Sequence, residues 1–158
     1  NVDNAIQDVE WTTIAFFMAL FVVVGGLTET GIIKQVAAVI IERTAGHPVM
    51  MMLILLWASA LLSSFLNNIP FIATLIPLVL ALKADGMDAE PLWWAISLGA
   101  CLGGNGTMIG ASANVVLSDI STKHGYPITF KSYLRVGMPF MLGSVFISMV
   151  FLLVKYAI

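Results

Sequence analysis

The stretch that decides the fold runs from His47 to Leu82 and reads HPVMMMLILLWASALLSSFLNNIPFIATLIPLVLAL. It contains no Asp, Glu, Lys or Arg over 36 residues, whereas one helix needs about 20 apolar residues to cross a hydrocarbon core of about 30 Å. Its middle carries two serines and two asparagines before Pro70. Because proline lacks a backbone donor and disfavours helix in the preceding residue, the stretch predicts two helices joined by a polar turn.

We interpret this stretch as a helical hairpin at 48–82. One helix runs from Pro48 to Leu66, a turn occupies Asn67–Pro70, and a return helix ends at Leu82. Non-helical backbone at membrane depth is tolerated only inside protein or beside a water-filled cavity. We therefore expect the tip of the hairpin to lie within the protein.

Three further stretches also lack Asp, Glu, Lys and Arg. They are Trp11–Thr28, Pro91–Ser118 and Val136–Val154, with 18, 28 and 19 residues. Apolar residues make up 59% of the chain and charged residues 10%, against roughly half and a quarter in soluble proteins. The chain is therefore interpreted as one all-α transmembrane domain over residues 1–158, multi-pass and expected in the cell (inner) membrane. Its predicted spans are about 11–30, the hairpin 48–82, a broken helix 92–120 and a last span 136–156.

Composition excludes several classes of function. A net charge of −2 without basic clusters predicts no nucleic-acid partner. The lone Cys101 excludes a disulfide framework and a cysteine-based metal site. The apolar stretches contain no pair of aspartates and no nucleophile beside a base, so we do not expect an enzyme. No cofactor is expected other than a coupling ion.

A second polar break lies in the stretch 92–120. Residues 103–107 read GGNGT, and each glycine inside a helix costs about 1 kcal/mol relative to alanine. The sequence predicts a discontinuous helix with arms at Leu92–Leu102 and Met108–Ile120.

Two such breaks predict an ion or substrate site. Broken transmembrane helices expose carbonyls at one half-helix end and amides at the other, where transporters hold cations and anionic groups. Neutral oxygen donors suit a hard monovalent cation, and without carboxylate or imidazole a divalent or transition metal is not expected. The candidate residues are Ser64, Asn67, Asn68, Gly104, Asn105, Gly106 and Thr107, with Ser112 and Asn114 as secondary candidates. Within this set, Na⁺ is expected at Asn68, Asn105 and Thr107.

Each of these signals has a structural alternative. Glycine and serine in membrane helices commonly permit close helix packing. A packing role is the alternative for Ser63 and Ser64, and equally for the group of Gly110, Ser112 and Asn114. The tip could be an interfacial loop, and GGNGT could be a simple kink. Glu29 could carry a proton.

The polar segments resemble those of a known superfamily, in the same order. They are VEWTT at 9–13, GGLTETG at 25–31, SFLNNIPF at 64–71 and CLGGNGTMIGASAN at 101–114. Together they resemble the C-terminal half of the ion-transporter superfamily, in its branch of arsenite permeases, D-type sodium/proton antiporters and melanosomal P-proteins. Citrate and dicarboxylate transporters are relatives of that branch. The resemblance covers nearly the whole chain, and the glycine–asparagine block is its most specific part.

The resemblance implies one inverted repeat of an elevator-type carrier, usually a homodimer. Each repeat contributes a re-entrant hairpin and an unwound helix. Ser64 with Asn67-Asn68 would occupy the hairpin tip, and Gly104–Thr107 would face it.

The chain departs from that pattern in two ways. Many antiporter-type relatives have Asp-Asn at the tip where this chain has Asn67-Asn68, which argues against proton exchange there. Only one repeat is present, so the expected partner is a missing N-terminal repeat or a second copy in the opposite orientation. Basic residues set no orientation, because four would lie on one face and three on the other: Lys34, Arg43, Lys83 and Lys155 against Lys123, Lys131 and Arg135. A fragment that begins at Asn1 is the simpler explanation.

These observations predict a secondary active transporter. It would couple Na⁺ or H⁺ to the movement of a small anion, such as a di- or tricarboxylate or an oxyanion, across the lipid bilayer. A sodium/proton antiporter or an arsenite-type exporter on the same scaffold is the alternative within transport. From another class, a structural or channel-like membrane subunit remains open.

Overall fold

The structure is a computed structural model that describes residues 11–44, 47–66 and 68–156. The described residues form helices and connecting turns, without a β-strand. The helices are α1 Trp11–Glu29, α2 Ile32–Thr44, α3 Pro48–Ser63, α4 Asn68–Ala84, α5 Ala89–Gly103, α6 Ser112–Lys123 and α7 Phe130–Tyr156.

The helices α3 and α5 form the centre of the fold and run in the same direction. Pro48 at the start of α3 and Pro91 in the first turn of α5 line one small cavity. At their other ends, Ser63 Oγ donates to the carbonyl of Ala100 at 2.7 Å. A Cβ added to Gly99 would lie 2.8 Å from Ser59 Cβ. Glycine here lets two helix backbones approach each other, as small residues do in membrane proteins.

The helix α7 runs antiparallel to this pair. Its buried side chains Met141, Val145 and Leu152 complete the core made by α3 and α5. Its last residue, Tyr156, donates through Oη to Glu90 Oε1 at the start of α5 (2.7 Å). Near its first turns, Gly137 lies against the residues that follow α5.

The C-terminus of α7 is fastened to α5 by a polar and aromatic cluster. Lys155 Nζ lies 3.4 Å from Glu90 Oε1 and 5.0 Å from the centre of the Trp94 ring. The hydrogen bond from Tyr156 and the adjacent Lys155 ammonium lower the pKa of Glu90 below its ordinary value of 4.5. All of these groups lie at one end of the α3–α5 pair.

The hairpin turn lies earlier in the chain than the sequence predicts. The helix α3 ends at Ser63 rather than Leu66, and α4 begins at Asn68 with Pro70 in its first turn. The predicted turn at Asn67–Pro70 was wrong because the first amides of a helix have no helical partner, so proline is tolerated there. Asn67 lies outside the described residues.

The helix α4 packs on α5 and on α2, and α1 packs on α2 and α4.

Among the described helices, α7 alone is long and apolar enough to cross a membrane unaided, with a mean hydropathy of 2.1. Phe21–Glu29 and Lys34–Thr44 meet at 66° and would add a second span if taken together. The helix α7 begins at Phe130, ahead of the predicted start at 136, because the basic residues in its first turns are compatible with helix. Most of its apolar stretch is exposed, unlike a helix in the core of a soluble protein.

Candidate functional site

The helix that starts at Ala89 is interrupted after Gly103. Residues 104–111 are not helical, and α6 starts at Ser112. The amide of Asn105 donates to the carbonyl of Leu102 (3.1 Å) and that of Gly106 to Gly103 (2.8 Å). The chain therefore leaves α5 in tight turns, which agrees with the break predicted from the glycine-rich sequence.

The end of α3 binds this unwound segment through two buried hydroxyls. Ser64 Oγ lies 3.0 Å from the carbonyl of Gly103 and 2.9 Å from that of Ala60. In return, Thr107 Oγ1 donates to the carbonyl of Ser64. Both side chains are fully buried. A hydroxyl carries one proton, so each of these oxygens keeps lone pairs that could accept from a donor or bind a cation.

Glycine is required at two positions of the unwound segment. A Cβ on Gly106 would lie 2.6 Å from Ser64 Oγ. A Cβ on Gly110 would lie 2.7 Å from the carbonyl oxygen of Gly104 and 2.8 Å from that of Ser64. All three distances are too short for an ordinary carbon contact, so these glycines permit the segment to close on the end of α3.

Asn114 ties the second arm of the broken helix to the break. Its Nδ2 donates to the carbonyl of Gly104 at 2.9 Å and to that of Thr107 at 3.2 Å. The two amide hydrogens therefore bridge both ends of the turn. This side chain was proposed only as a secondary candidate, and its position in the first turn of α6 explains how it reaches back to the break.

The helix termini give the site a distinct electrostatic character. The C-termini of α3 and α5 meet at Ser64 and Gly103, and the N-terminus of α6 follows at Ser112 without a side-chain cap. A helix carries about half a negative charge at its C-terminus and half a positive charge at its N-terminus. Two C-termini can stabilise a cation, and the uncapped amides of α6 can stabilise an anion.

The structure brings together five of the nine predicted residues in one hydrogen-bonded or close-packed unit. We call this the break cluster: Ser64, Gly104, Gly106, Thr107 and Asn114. Asn105 follows within the same turn, but neither its side chain nor that of Asn68 makes a hydrogen bond with the described residues. Ser112 is exposed and does not cap α6, so the structure does not bring it into the cluster.

A groove beside Asn105 includes residues that the sequence analysis missed. It has a volume of about 530 Å³ and lies between the unwound segment and the first turns of α7. The other lining residues are Ile128, Ser132, Tyr133, Val136, Gly137 and Phe140. A Cβ on Gly137 would lie 2.7 Å from the carbonyl oxygen of Asn105. A glycine inside an otherwise apolar span was the available signal for this approach.

The atoms of the break cluster that could bind an ion are all electrically neutral groups. In the part of the chain that the structure describes, no three His, Cys, Asp or Glu side chains lie close enough to share a metal ion. Hydroxyl, amide and carbonyl oxygens form the set, and they are ligands for hard cations.

The chain resembles one known protein family and several known proteins. The family model for citrate transporters matches residues 1–99. The chain is 44% identical over 158 residues to the P protein of Homo sapiens, covering 95% of this chain and 19% of that protein. It is 38% identical over 156 residues to the 46 kDa membrane protein of Mycobacterium leprae (97% and 36%). It is 36% identical over 167 residues to an uncharacterized transporter of Synechocystis (95% and 37%).

The chain therefore spans between about a fifth and a little over a third of the length of these relatives. No solved structure matches it.

Proposed function

Since the chain belongs to the citrate transporter family of membrane proteins, we propose that it forms the ion-binding part of a secondary active transporter. In this proposal Na⁺ binds at the break cluster and is coupled to the movement of a small anion. The chain covers 36% of the Mycobacterium leprae relative, and in this proposal the complete carrier includes a further repeat. That repeat would be inverted relative to this one, and the carrier would operate as an elevator-type dimer.

The observation that carries the proposal is the meeting of two helix C-termini at buried hydroxyls. Ser64 and Thr107 direct their protons at backbone carbonyls, which leaves oxygen lone pairs available to a cation. The partial negative charges at the ends of α3 and α5 add to that attraction. None of the residues of the break cluster is titratable, and this favours Na⁺ over H⁺ as the coupling ion.

Asn105 and Asn68 would complete the coordination. Neither side chain forms a hydrogen bond with the described residues, so both could turn to an ion without breaking an existing interaction. Thr107 would supply a third oxygen, as the sequence predicts. A bound Na⁺ and the uncapped N-terminus of α6 would then attract the substrate, for which a di- or tricarboxylate or an oxyanion is the expected class.

Thermal unfolding in detergent tests the ion site directly. We expect Na⁺, but neither K⁺ nor choline, to raise the unfolding temperature. At ten times its dissociation constant, a ligand of the folded state contributes about 1.4 kcal/mol. Asn105→Ala and Asn68→Ala should abolish the Na⁺ response and leave the unfolding temperature in choline unchanged. Ser112→Ala is the matched control, because this polar side chain is exposed and outside the break cluster.

The same measurement on the chain joined to an N-terminal repeat separates two explanations. A Na⁺ response only in the joined protein would mean that both repeats are needed to form the site. No response in either protein would overturn the Na⁺ site, and a pH-driven exchange assay would then test the sodium/proton antiporter and arsenite-type alternatives. A Na⁺ response that survives in Asn105→Ala and Asn68→Ala would refute the assignment of ligands.

A further inference from the structure

The helix α7 fixes where the edges of the membrane fall on this chain. Its uncharged stretch Val136–Val154 has 19 residues, which at 1.5 Å per residue span about 28 Å. This matches a hydrocarbon core of about 30 Å. Arg135 therefore lies at the level of the lipid headgroups on one side, and Lys155 lies at that level on the other.

The two ends of α7 differ in how their basic side chains are satisfied. Lys155 pairs with Glu90 and lies over the rings of Trp94 and Tyr156. At the other end, Lys131 and Arg135 are exposed, and neither forms an ion pair within the described part of the chain. Two cations spaced four residues apart on a helix share one face, so their positive charges act on the same point in the headgroup layer.

These two cations lie at one end of a shallow, open groove on the surface of the same helix. Leu134, Met138 and Pro139 form the rest of its lining. Pro139 lies inside α7 and has no amide hydrogen, so the carbonyl of Arg135 loses its helical donor. The lining is basic at the headgroup level and apolar where α7 enters the hydrocarbon core.

We propose that this groove, formed by Lys131, Leu134, Arg135, Met138 and Pro139, binds an anionic phospholipid. The lipid phosphate lies between the Lys131 ammonium and the Arg135 guanidinium. One acyl chain follows the apolar lining along α7. The charge of the groove complements an acidic headgroup, and a zwitterionic lipid supplies the same acyl chain without a net negative charge. This inference does not depend on the proposed transport activity.

Lys123 differs from Lys131 and Arg135 in its setting, because it pairs with Asp119 at 2.9 Å on the exposed end of α6. Lys123 therefore provides a matched control: a surface lysine on the preceding helix whose charge is already compensated.

Native mass spectrometry of the chain in detergent tests the proposal. We expect phosphatidylglycerol to be retained in preference to phosphatidylcholine with the same acyl chains. Each neutralisation, Lys131→Gln or Arg135→Gln, should weaken phosphatidylglycerol binding about fivefold. The double variant should abolish the preference, whereas Lys123→Gln should retain it. The charge-conserving double variant Lys131→Arg with Arg135→Lys should also retain the preference. This control checks that a loss of preference in the Gln variants does not come from misfolding.

Inorganic phosphate distinguishes a lipid site from a general anion site. In thermal unfolding, phosphatidylglycerol should raise the unfolding temperature in proportion to its binding, and inorganic phosphate should not. Equal retention of the two lipids would overturn the proposal. So would an undiminished preference in the Gln double variant, or stabilisation by inorganic phosphate that matches the lipid.

Discussion

Gly106→Ala is the sharpest perturbation of the break cluster. The added Cβ would lie 2.6 Å from Ser64 Oγ, while every other neighbour is at least 3.1 Å away. The φ angle of Gly106 is not positive, so alanine is compatible with the backbone. The substitution therefore acts mainly through its contact with the fully buried Ser64 hydroxyl.

The expected loss of stability in Gly106→Ala comes from the space and the hydrogen bond that the Ser64 hydroxyl loses. Overpacking a well-packed site costs about 1–3 kcal/mol, and leaving a buried polar group without its hydrogen bond costs about 1–3 kcal/mol. We expect Gly106→Ala to destabilise the fold by about 2–4 kcal/mol on these grounds. Ser64→Ala alone should cost about 1 kcal/mol, because the carbonyls of Ala60 and Gly103 still accept from backbone amides.

The double variant carries the decisive information. With Ser64→Ala the clashing oxygen is gone, and the remaining close neighbours of the new methyl group are the flexible end of Met141 at 3.1 Å and the carbonyl oxygen of Gly103 at 3.2 Å. Ser64→Ala combined with Gly106→Ala should therefore cost about 1–2 kcal/mol, less than the sum of the two single changes. Gly143→Ala is the control, since a Cβ there meets nothing within 4 Å, and it should be neutral or stabilising.

Reversible unfolding in mixed detergent micelles, followed by circular dichroism, measures all four variants. A coupling energy of about 2 kcal/mol is expected from the double-mutant cycle. If the two substitutions add within about 0.5 kcal/mol, Ser64 and Gly106 do not share a contact and the described closure of the break is wrong.

Two further predictions concern the termini of the broken helix. Asn114→Ala removes both hydrogen bonds that Nδ2 donates to the carbonyls of Gly104 and Thr107. It should destabilise the fold by about 1–3 kcal/mol and speed amide hydrogen exchange in residues 104–111. Unchanged exchange in those residues would contradict the bridging role of Asn114. The lowered pKa of Glu90 means that its carboxylate stabilises the folded state above the unfolded pKa of 4.5 and loses that contribution as the pH falls through the folded pKa. The free energies of unfolding of the wild type and of Glu90→Gln should therefore differ at neutral pH and converge in acid. A difference that does not change with pH would refute this role of the Glu90 carboxylate.

The break in the helix could be predicted from sequence because its cause is local. Three glycines within Gly103–Gly106 disfavour helix through the backbone itself. The turn of the hairpin was misplaced for an equally local reason, because Pro70 has two readings. It can end one helix or occupy the first turn of the next, and the sequence does not distinguish them.

The contacts of the break cluster could not be predicted, because they depend on packing between distant segments. Ser64 and Thr107 are 43 residues apart in the sequence. They meet because α3 and α5 run parallel and pack closely through small residues at their contact. The groove beside Asn105 was missed for the same reason. One wall of this groove is formed by the start of α7. Tyr133 precedes the predicted last span at 136–156, so the local sequence pattern did not link Tyr133 to the break.

The structure also changes how packing and ion binding relate at this site. Packing and ligand roles were alternatives at Ser64, but the contacts of Ser64 and Gly106 show a close-packed unit, and a donating hydroxyl still retains lone pairs. A rigid unit of this kind suits a selective site, because its oxygens need not reorganise when an ion arrives. The two roles then separate by residue. Substitutions at Ser64 should lower stability with or without Na⁺, whereas Asn105→Ala should remove the Na⁺ response and spare stability, because its side chain holds no bond within the described structure. If Asn105→Ala lowered stability in choline as much as Ser64→Ala does, Asn105 would belong to the packing unit, and the proposed ion would lack its principal side-chain ligand.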